Sequence, residues 1–412
     1  MPDARPRLRP LELFPVEVDG QSLICLRDPS GLTDRIGLLP RPAAVAAVLC
    51  DGTRTLAEVA AELERRSGAG VTASQIAELL DQLDDGLFLE GPRLEAHKRA
   101  VLAAFRAAPT RAANHAGGAY AAVPSELRGT IAEWGTQIAG EPAPPTLRAE
   151  VGAPAVLISP HIDYHRGGLT YARAWRALAR AERPDLVIVF GTDHNGTDWP
   201  FTLTRKSYET PLGAAPTDTA LVEELLARLP DHAEGLFADE IHHRTEHSIE
   251  LQAVWLRHIF GADAPPVLPV LCGSLHRAVT RRESPAADPR VAGFLDALRA
   301  ATAGRRILIV AGADLAHVGP RFGDGPMRAP DRQRVADDDR LALDAAGRRD
   351  ADGFFGSIAA LDDKNRICGL APIYHSLAFI GREGRQGTLI DYDQCKADDS
   401  GTSFVSIAAM TI

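Results

Sequence analysis

Five short polar signatures in this chain each come after an apolar run. They are Ser159-Pro160-His161-Ile162-Asp163-Tyr164, Gly191-Thr192-Asp193-His194-Asn195-Gly196, Glu246-His247-Ser248, Asp314-Leu315-Ala316-His317 and Ile367-Cys368-Gly369. Imidazole, thiolate and carboxylate are the groups that ligate transition metals, and imidazole also moves protons near neutral pH. Open α/β sheets carry their chemistry on the loops that leave the carboxyl ends of buried strands. Groups of this kind delivered to one edge by several strands make a site and not a core. The pattern points to a metal enzyme or a close relative of one.

His161 follows Val156-Leu157-Ile158 and precedes Asp163 and Tyr164, while His194 follows Val187-Ile188-Val189-Phe190 inside a glycine-rich turn. The two converge only if their strands are neighbours. Asp314 and His317 stand at a third strand end, after Ile307-Leu308-Ile309-Val310. Glu246 and His247 precede an amphipathic helix that Thr245 is placed to cap. A carboxylate there reads equally as a partner of the helix dipole and as a site residue. Cys368, flanked by Arg366, Gly369 and Pro372, precedes another helix, and that helix start together with Arg366 would favour a thiolate. Two imidazoles and a thiolate suit iron, copper or zinc, whereas magnesium and calcium prefer oxygen ligands alone. His97, His232, His258 and His276 read as ordinary surface or core residues, as do Cys25 and Cys50.

The elements that must position these groups follow from periodicity. Ala155–Ser159, Leu186–Phe190, Val267–Leu271 and Ile307–Ala311 are expected strands. Helical patterns at Tyr171–Ala181, Thr219–Leu229, Ser248–Phe260 and Val291–Ala303 are interleaved with them. That alternation implies an α/β fold with a largely parallel sheet flanked by helices. The charged, glycine- and proline-rich stretch Phe322–Asp339 reads as a mobile surface loop. Ahead of this region, residues 1–95 form a small winged-helix-like module, and residues 96–110 a linker or connecting helix. Within the module, Leu11–Leu26 reads as a hairpin about Asp19-Gly20. Helices are expected over Pro42–Cys50, from Thr55 with a capping box, and from Ser74, with a closing strand at Gly86–Leu89.

With 412 residues and a formal net charge of −10, the chain has no basic stripe for nucleic acid. No apolar stretch approaches the roughly 20 residues that span a bilayer, and the opening Met-Pro-Asp-Ala-Arg-Pro lacks the plan of a signal peptide. A cytoplasmic location is the expectation. Five cysteines without paired spacing suggest no disulfide framework.

Residues 111–412 resemble the MEMO family, the B component of the AmmeMemoRadiSam system. The likeness runs through Asn114-His115-Ala116-Gly117 with Tyr120, Pro160-His161 with Tyr164, Gly191 with His194, and Tyr208-Glu209-Thr210-Pro211-Leu212. It continues through Glu246-His247-Ser248-Ile249-Glu250, Asp314 with His317, Ile367-Cys368-Gly369, and Ser403-Phe404-Val405-Ser406. The resemblance implies the fold of class III extradiol dioxygenases, with His161, His194 and Cys368 as metal ligands. It places Asp314 and His317 as a second pair in the pocket, Glu246 and His247 as a buried acidic signature, and His115 nearby. By the same association it implies a radical SAM partner enzyme. Two departures stand out: Asp193 replaces a small hydroxyl residue, adding a carboxylate beside a ligand, and Ala311-Gly312-Ala313 replaces a serine-rich approach to Asp314.

Residues 1–95 resemble PqqD-like peptide-recognition modules through Ala44–Cys50, Asp51-Gly52-Thr53-Arg54-Thr55 and Asp84-Asp85-Gly86-Leu87. Such a module binds a leader peptide as an added edge strand; the alternative is a purely structural or dimerisation element. The combined expectation is a non-haem metal enzyme, with iron as the expected metal and copper or zinc as alternatives. It would do redox chemistry on a peptide or peptide-borne substrate, as in modified-peptide biosynthesis. His317, oriented by Asp314 or Glu246, is the expected acid/base, with His247 assisting and Tyr164 donating to bound oxygen or substrate. The rival readings are a zinc hydrolase and a peptide-binding or metal-sequestering adaptor without turnover.

Overall fold

The computed structural model describes residues 5–68 and 71–412, so the opening Met1–Ala4, read above for a targeting signal, lies outside the described residues. The chain divides into two compact units that meet between Ala108 and Pro109. In the first, β1 (Glu12–Val18) and β2 (Gln21–Arg27) pair antiparallel across Asp19 and Gly20. Both turn residues have positive φ, 50° and 75°, as a two-residue Asp-Gly hairpin requires. β3 (Gly37–Pro40) joins β2. Helices Arg41–Leu49, Leu56–Ser67, Ala73–Asp85 and Pro92–Ala107 follow.

Thr55 and Glu58 form the reciprocal capping box that their spacing signals. Thr72 and Gln75 form another, so the third helix starts at Ala73, one residue before the expected Ser74. Gly86–Leu89 is not a strand. Leu87 turns the chain with φ 64°, and only a single bridge, Leu89 to Leu8, remains.

In the second unit, the two-residue β4 (Thr110–Arg111) pairs with β8 (Ser207–Tyr208). The main sheet holds β5 (Ala155–Ser159), β6 (Leu186–Thr192), β7 (Phe201–Leu203), β9 (Val267–Cys272), β10 (Ile307–Gly312), β11 (Asp314–Val318), β12 (Thr388–Lys396) and β13 (Phe404–Thr411). Its order is β11-β13-β5-β10-β6-β9-β7, with β12 along the other side of β13. β5, β10, β6 and β9 are mutually parallel. β7, β11, β12 and β13 all pair antiparallel.

The sheet is therefore mixed, with a parallel centre, and the expectation of a largely parallel sheet holds only there. The apolar centre strands are linked by helical crossovers, as parallel pairing requires. Of the antiparallel pairs, β12 and β13 are joined by a short connection, residues 397–403.

Both faces of the centre are covered, which explains why its strands read as continuous apolar runs. Val156, Ile188, Phe190 and Ile309 face one core with helices Thr219–Arg228, Pro289–Ala301 and Leu370–Ile380. Leu157, Val187, Val189 and Leu308 face the other, with helices Tyr164–Arg176 and Ser248–Phe260. Tyr164–Arg176 begins seven residues before the expected Tyr171. Asp163 caps it by accepting from Arg166 N at 3.1 Å, and Gly167-Gly168 is a close-packing surface instead of a break. A Cβ on Gly168 would sit 2.3 Å from the Trp134 ring.

Phe322–Asp339 is corrected as well, because a helix runs over Ala329–Gly347. Its Pro330 falls in the first turn, where no N–H is missed, and Val335, Leu343 and Ala346 are buried beneath the charged face.

These packing assignments predict a contrast within one unit. Leu308→Ala, at a site 1% exposed, should cost about 2–5 kcal/mol in denaturant unfolding. Leu341→Ala, 58% exposed, should stay within about 0.5 kcal/mol. Equal losses would mean that the two faces are not buried as described.

Candidate metal centre

His161 stands two residues beyond β5 and His194 two beyond β6, but these strands are not neighbours, since β10 runs between them. The rings nonetheless meet, with centroids 5.0 Å apart. Two sheet spacings, about 9.5 Å, are bridged by loops leaning over the end of β10. The end residue Gly312 makes room for this. A Cβ there would sit 2.6 Å from the Ser248 carbonyl oxygen, and one on Gly191 would sit 2.5 Å from Ser248 Oγ. Helix Ser248–Phe260 can thus press its start against the strand ends, where Ser248 Oγ donates to the Thr192 carbonyl at 3.0 Å. This delivers His247, whose ring lies 5.2 Å from that of His161 and 4.9 Å from that of His194.

One nitrogen from each of His161, His194 and His247 lies within 4.8 Å of the others, so the three could hold a metal ion together. Their orientation is set on the far side of each ring. Nδ1 of His161 donates to the Gly312 carbonyl at 2.9 Å, leaving Nε2 as its lone-pair nitrogen. Nδ1 of His194 and of His247 lie 3.1 and 3.2 Å from the buried Glu246 carboxylate. A carboxylate behind a histidine in this way fixes its tautomer and raises its basicity as a ligand. Glu246 also accepts from the backbone N–H groups of His194, His247 and Ser248 at 3.0, 2.8 and 3.0 Å. Burial alone would push its pKa up. The histidines and these donors overcome that and hold the carboxyl well below its ordinary range.

Burial pushes His161 down to about 3, assisted by the charge of His194. It also drives His247 well below the usual imidazole value, against the pull of Glu246. For His194, burial is outweighed by Glu246 and the pKa rises. His247, assigned from sequence to acid/base assistance, therefore belongs geometrically with the metal-capable set.

Cys368 Sγ lies 3.1 Å from Nε2 of His161 and so adjoins the triad on one side. Its thiol is pushed well above the ordinary value by burial and by the charges of Asp314 and Glu246. Arg366 does not serve it as expected, because its guanidinium pairs with Asp324 and donates to the His317 carbonyl.

Asp314 starts β11, where its Oδ1 accepts from the backbone N–H groups of His161 and Ile162 at 2.7 and 3.1 Å. Burial raises its carboxyl to about 6. A bulge falls between Asp314 and His317, and bulges re-aim side chains. His317 donates Nδ1–H to the Leu315 carbonyl at 3.0 Å, and burial lowers its pKa.

The remaining candidates divide. His115 stacks edge-on against His247 at 5.6 Å and bonds the Thr245 carbonyl through Nε2. Asp193 turns away from the triad to pair with His242 at 2.9 Å. Tyr164 is not at the site. Its hydroxyl donates to the Leu251 carbonyl at 2.6 Å, and its ring packs among Tyr120, Tyr171 and Trp255, so the role of donor to bound oxygen or substrate is withdrawn.

Sequence reasoning missed the scaffold behind Glu246. Arg111 is buried, paired with Glu250, and donates to the carbonyls of Glu246 and His243 at 2.7 and 2.8 Å. Glu250 also accepts from Tyr120 and from the His115 N–H. Tyr208 donates to Nδ1 of His243, whose Nε2–H is held by the Thr202 carbonyl. Glu250 lay within a quoted signature and Arg111 just ahead of another, but nothing local marks them as a pair.

Residues 111–411 match the family described as Memo-like protein. The chain is 24% identical to a MEMO1 family protein of Aquifex aeolicus over 394 residues, 94% of this chain and 95% of that protein. That span is long enough to reach into both units. A MEMO1 family protein of Desulfurococcus amylolyticus is 27% identical, covering 69% of this chain and 92% of the relative. One from Methanopyrus kandleri is 28% identical, covering 67% and 89%.

The buried Arg111–Glu250 pair predicts a stability effect. Arg111→Met leaves Glu250 charged and without its guanidinium, and should lower unfolding free energy by about 3–5 kcal/mol. A loss under about 1 kcal/mol would mean that the pair is not buried in solution.

Proposed function

Because this chain belongs to the Memo-like family, we propose that it is a non-haem metal enzyme of redox type acting on a peptide or peptide-borne substrate. The observation that carries the metal reading is the meeting of three imidazole nitrogens with a buried carboxylate behind two of them. His161, His194 and His247 would hold the ion, with Cys368 beside His161 as a fourth donor. An N₃ or N₃S set of this kind suits iron, copper or zinc. Iron is our choice, and it would supply one-electron chemistry at the pocket. His317 offers Nε2 as a proton acceptor, since Nδ1–H is committed to Leu315. Asp314 positions the loop of His161 through two backbone N–H groups.

The peptide part of the reading rests on the first unit, as a PqqD-like module. Its exposed large apolar residues are Leu13 and Val18 on β1, Leu38 on β3, and Ile36 and Val48 nearby. β1 and β3 are the edges of their three-stranded sheet. An exposed edge with apolar side chains is suited to adding a peptide strand, and capture there would raise the substrate's concentration near the second unit. A radical SAM enzyme as partner belongs to the same reading, through the AmmeMemoRadiSam association.

Elemental analysis and absorption spectra of protein purified without oxygen, before and after air exposure, provide the test. We expect about one iron per chain and a spectrum that changes on exposure. His247→Ala should lose the metal, whereas Cys368→Ser should alter the spectrum and His317→Ala should leave both intact. Glu246→Gln should weaken metal retention about 10–100-fold against a competing chelator. Redox-silent zinc would replace this reading with a hydrolase, and absence of retained metal with a peptide-binding adaptor.

A further inference from the structure

At the end of the main sheet opposite the histidines, a cleft of about 660 Å³ opens between residues 145–155 and the 383–388 loop. Its size falls in the range of small-molecule sites. Arg349 lines it and is only 8% exposed. Nε and one terminal nitrogen of Arg349 donate to the carbonyls of Gly381 and Ile380, both at 3.0 Å. These contacts cap the end of helix Leu370–Ile380 and account for two of its nitrogens.

They leave two facts unexplained. The other terminal nitrogen, Nη1, has no hydrogen-bond partner among the described residues. No carboxylate among them forms an ion pair with this buried guanidinium either. Nη1 is not among the described polar atoms sealed from solvent without a partner, so a ligand can reach it. Nη1 lies against Gly384, a further residue of the cleft wall, where a Cβ would sit 2.1 Å away.

Two more arginines, Arg148 and Arg385, stand exposed on the same cleft and have no ion-pair partner among the described residues. Glu150, Glu383 and the last residue, Ile412, also border it.

We propose that this cleft binds a small organic anion bearing a phosphate or carboxylate group. Arg349 meets the oxyanion at the base, and Arg148 and Arg385 close on it from the rim. Nη1 of Arg349 offers one charge-assisted hydrogen bond, and the exposed guanidiniums of Arg148 and Arg385 are able to present forks to either oxyanion. The mixed polar and apolar walls leave room for an organic body larger than the anion itself. The site is at the other end of the strands from the triad, and it stands whether or not a metal is held there.

Calorimetric titration of the full chain with adenosine monophosphate, and separately with citrate, tests the proposal and distinguishes the two sources. At least one probe should bind at millimolar concentration or below, and more weakly as salt is raised. The double change Arg148→Glu with Arg385→Glu should weaken binding about tenfold or more while leaving the melting temperature and the metal content unchanged. Arg349→Met should abolish binding. If that variant fails to fold, the rim double variant decides alone, because both residues are exposed. No heat with either probe, or equal affinity after charge reversal at the rim, would overturn the site.

Discussion

The Glu246 carboxylate accepts from three backbone N–H groups and lies 3.1–3.2 Å from Nδ1 of two histidines. A buried carboxylate is costly unless every oxygen is satisfied, so its partners constrain one another. The N–H of His194 ties the loop after β6 to it, and those of His247 and Ser248 tie the start of a helix. His194 and His247 must then present their other nitrogens to the same space. The second buried carboxylate, Glu250, repeats the arrangement one turn along the helix with Arg111, Tyr120 and the His115 N–H. Arg111 joins the two by donating to the Glu246 carbonyl. One short segment, 246–250, thereby organises charge on both sides of the helix start.

That arrangement needs space where strands end. β10 separates the strands that carry His161 and His194, and any side chain at its last residue would collide with the helix. Gly312 and Gly191 remove the obstacle, so the glycine within the run Ala311-Gly312-Ala313 is a steric requirement here. The Gly312 carbonyl then takes Nδ1–H of His161. Packing and the orientation of the His161 ring are set by the same few backbone atoms.

The electrostatics of the pocket follow from burial more than from net charge. His161, His247 and His317 all have lowered pKa values because the charged imidazole is poorly solvated there. Cys368 has a raised one for the same reason. Only His194, closest to the Glu246 charge and with 38% of its side chain exposed, moves the other way. Neutral imidazoles are the form that ligates metals, so burial favours that form at His161 and His247, whereas His194 and the Cys368 thiol are shifted toward their protonated forms.

Much of this was legible in the sequence, and the boundary of legibility has a physical cause. Apolar runs of five or six residues located β5, β6, β9 and β10, because strands covered on both faces need no polar alternation. Asp19-Gly20 and Thr55-Glu58 marked their turn and cap through local hydrogen-bond chemistry that needs no distant partner. His161, His194, Asp314 and Cys368 stood out as polar groups directly after apolar runs or ahead of a helix. The antiparallel flanks, the promotion of His247 to the triad, the retreat of Tyr164 into an aromatic core and the Arg111–Glu250 pair did not. The Tyr164–Leu251 and Arg111–Glu250 contacts join residues 87 and 139 positions apart in the chain. The sequence by itself determined which segments become strands and helices and which groups are left at their ends. Only tertiary structure decided which of those groups face one another, because that depends on strand order and on whether a side chain at the crossing point is absent.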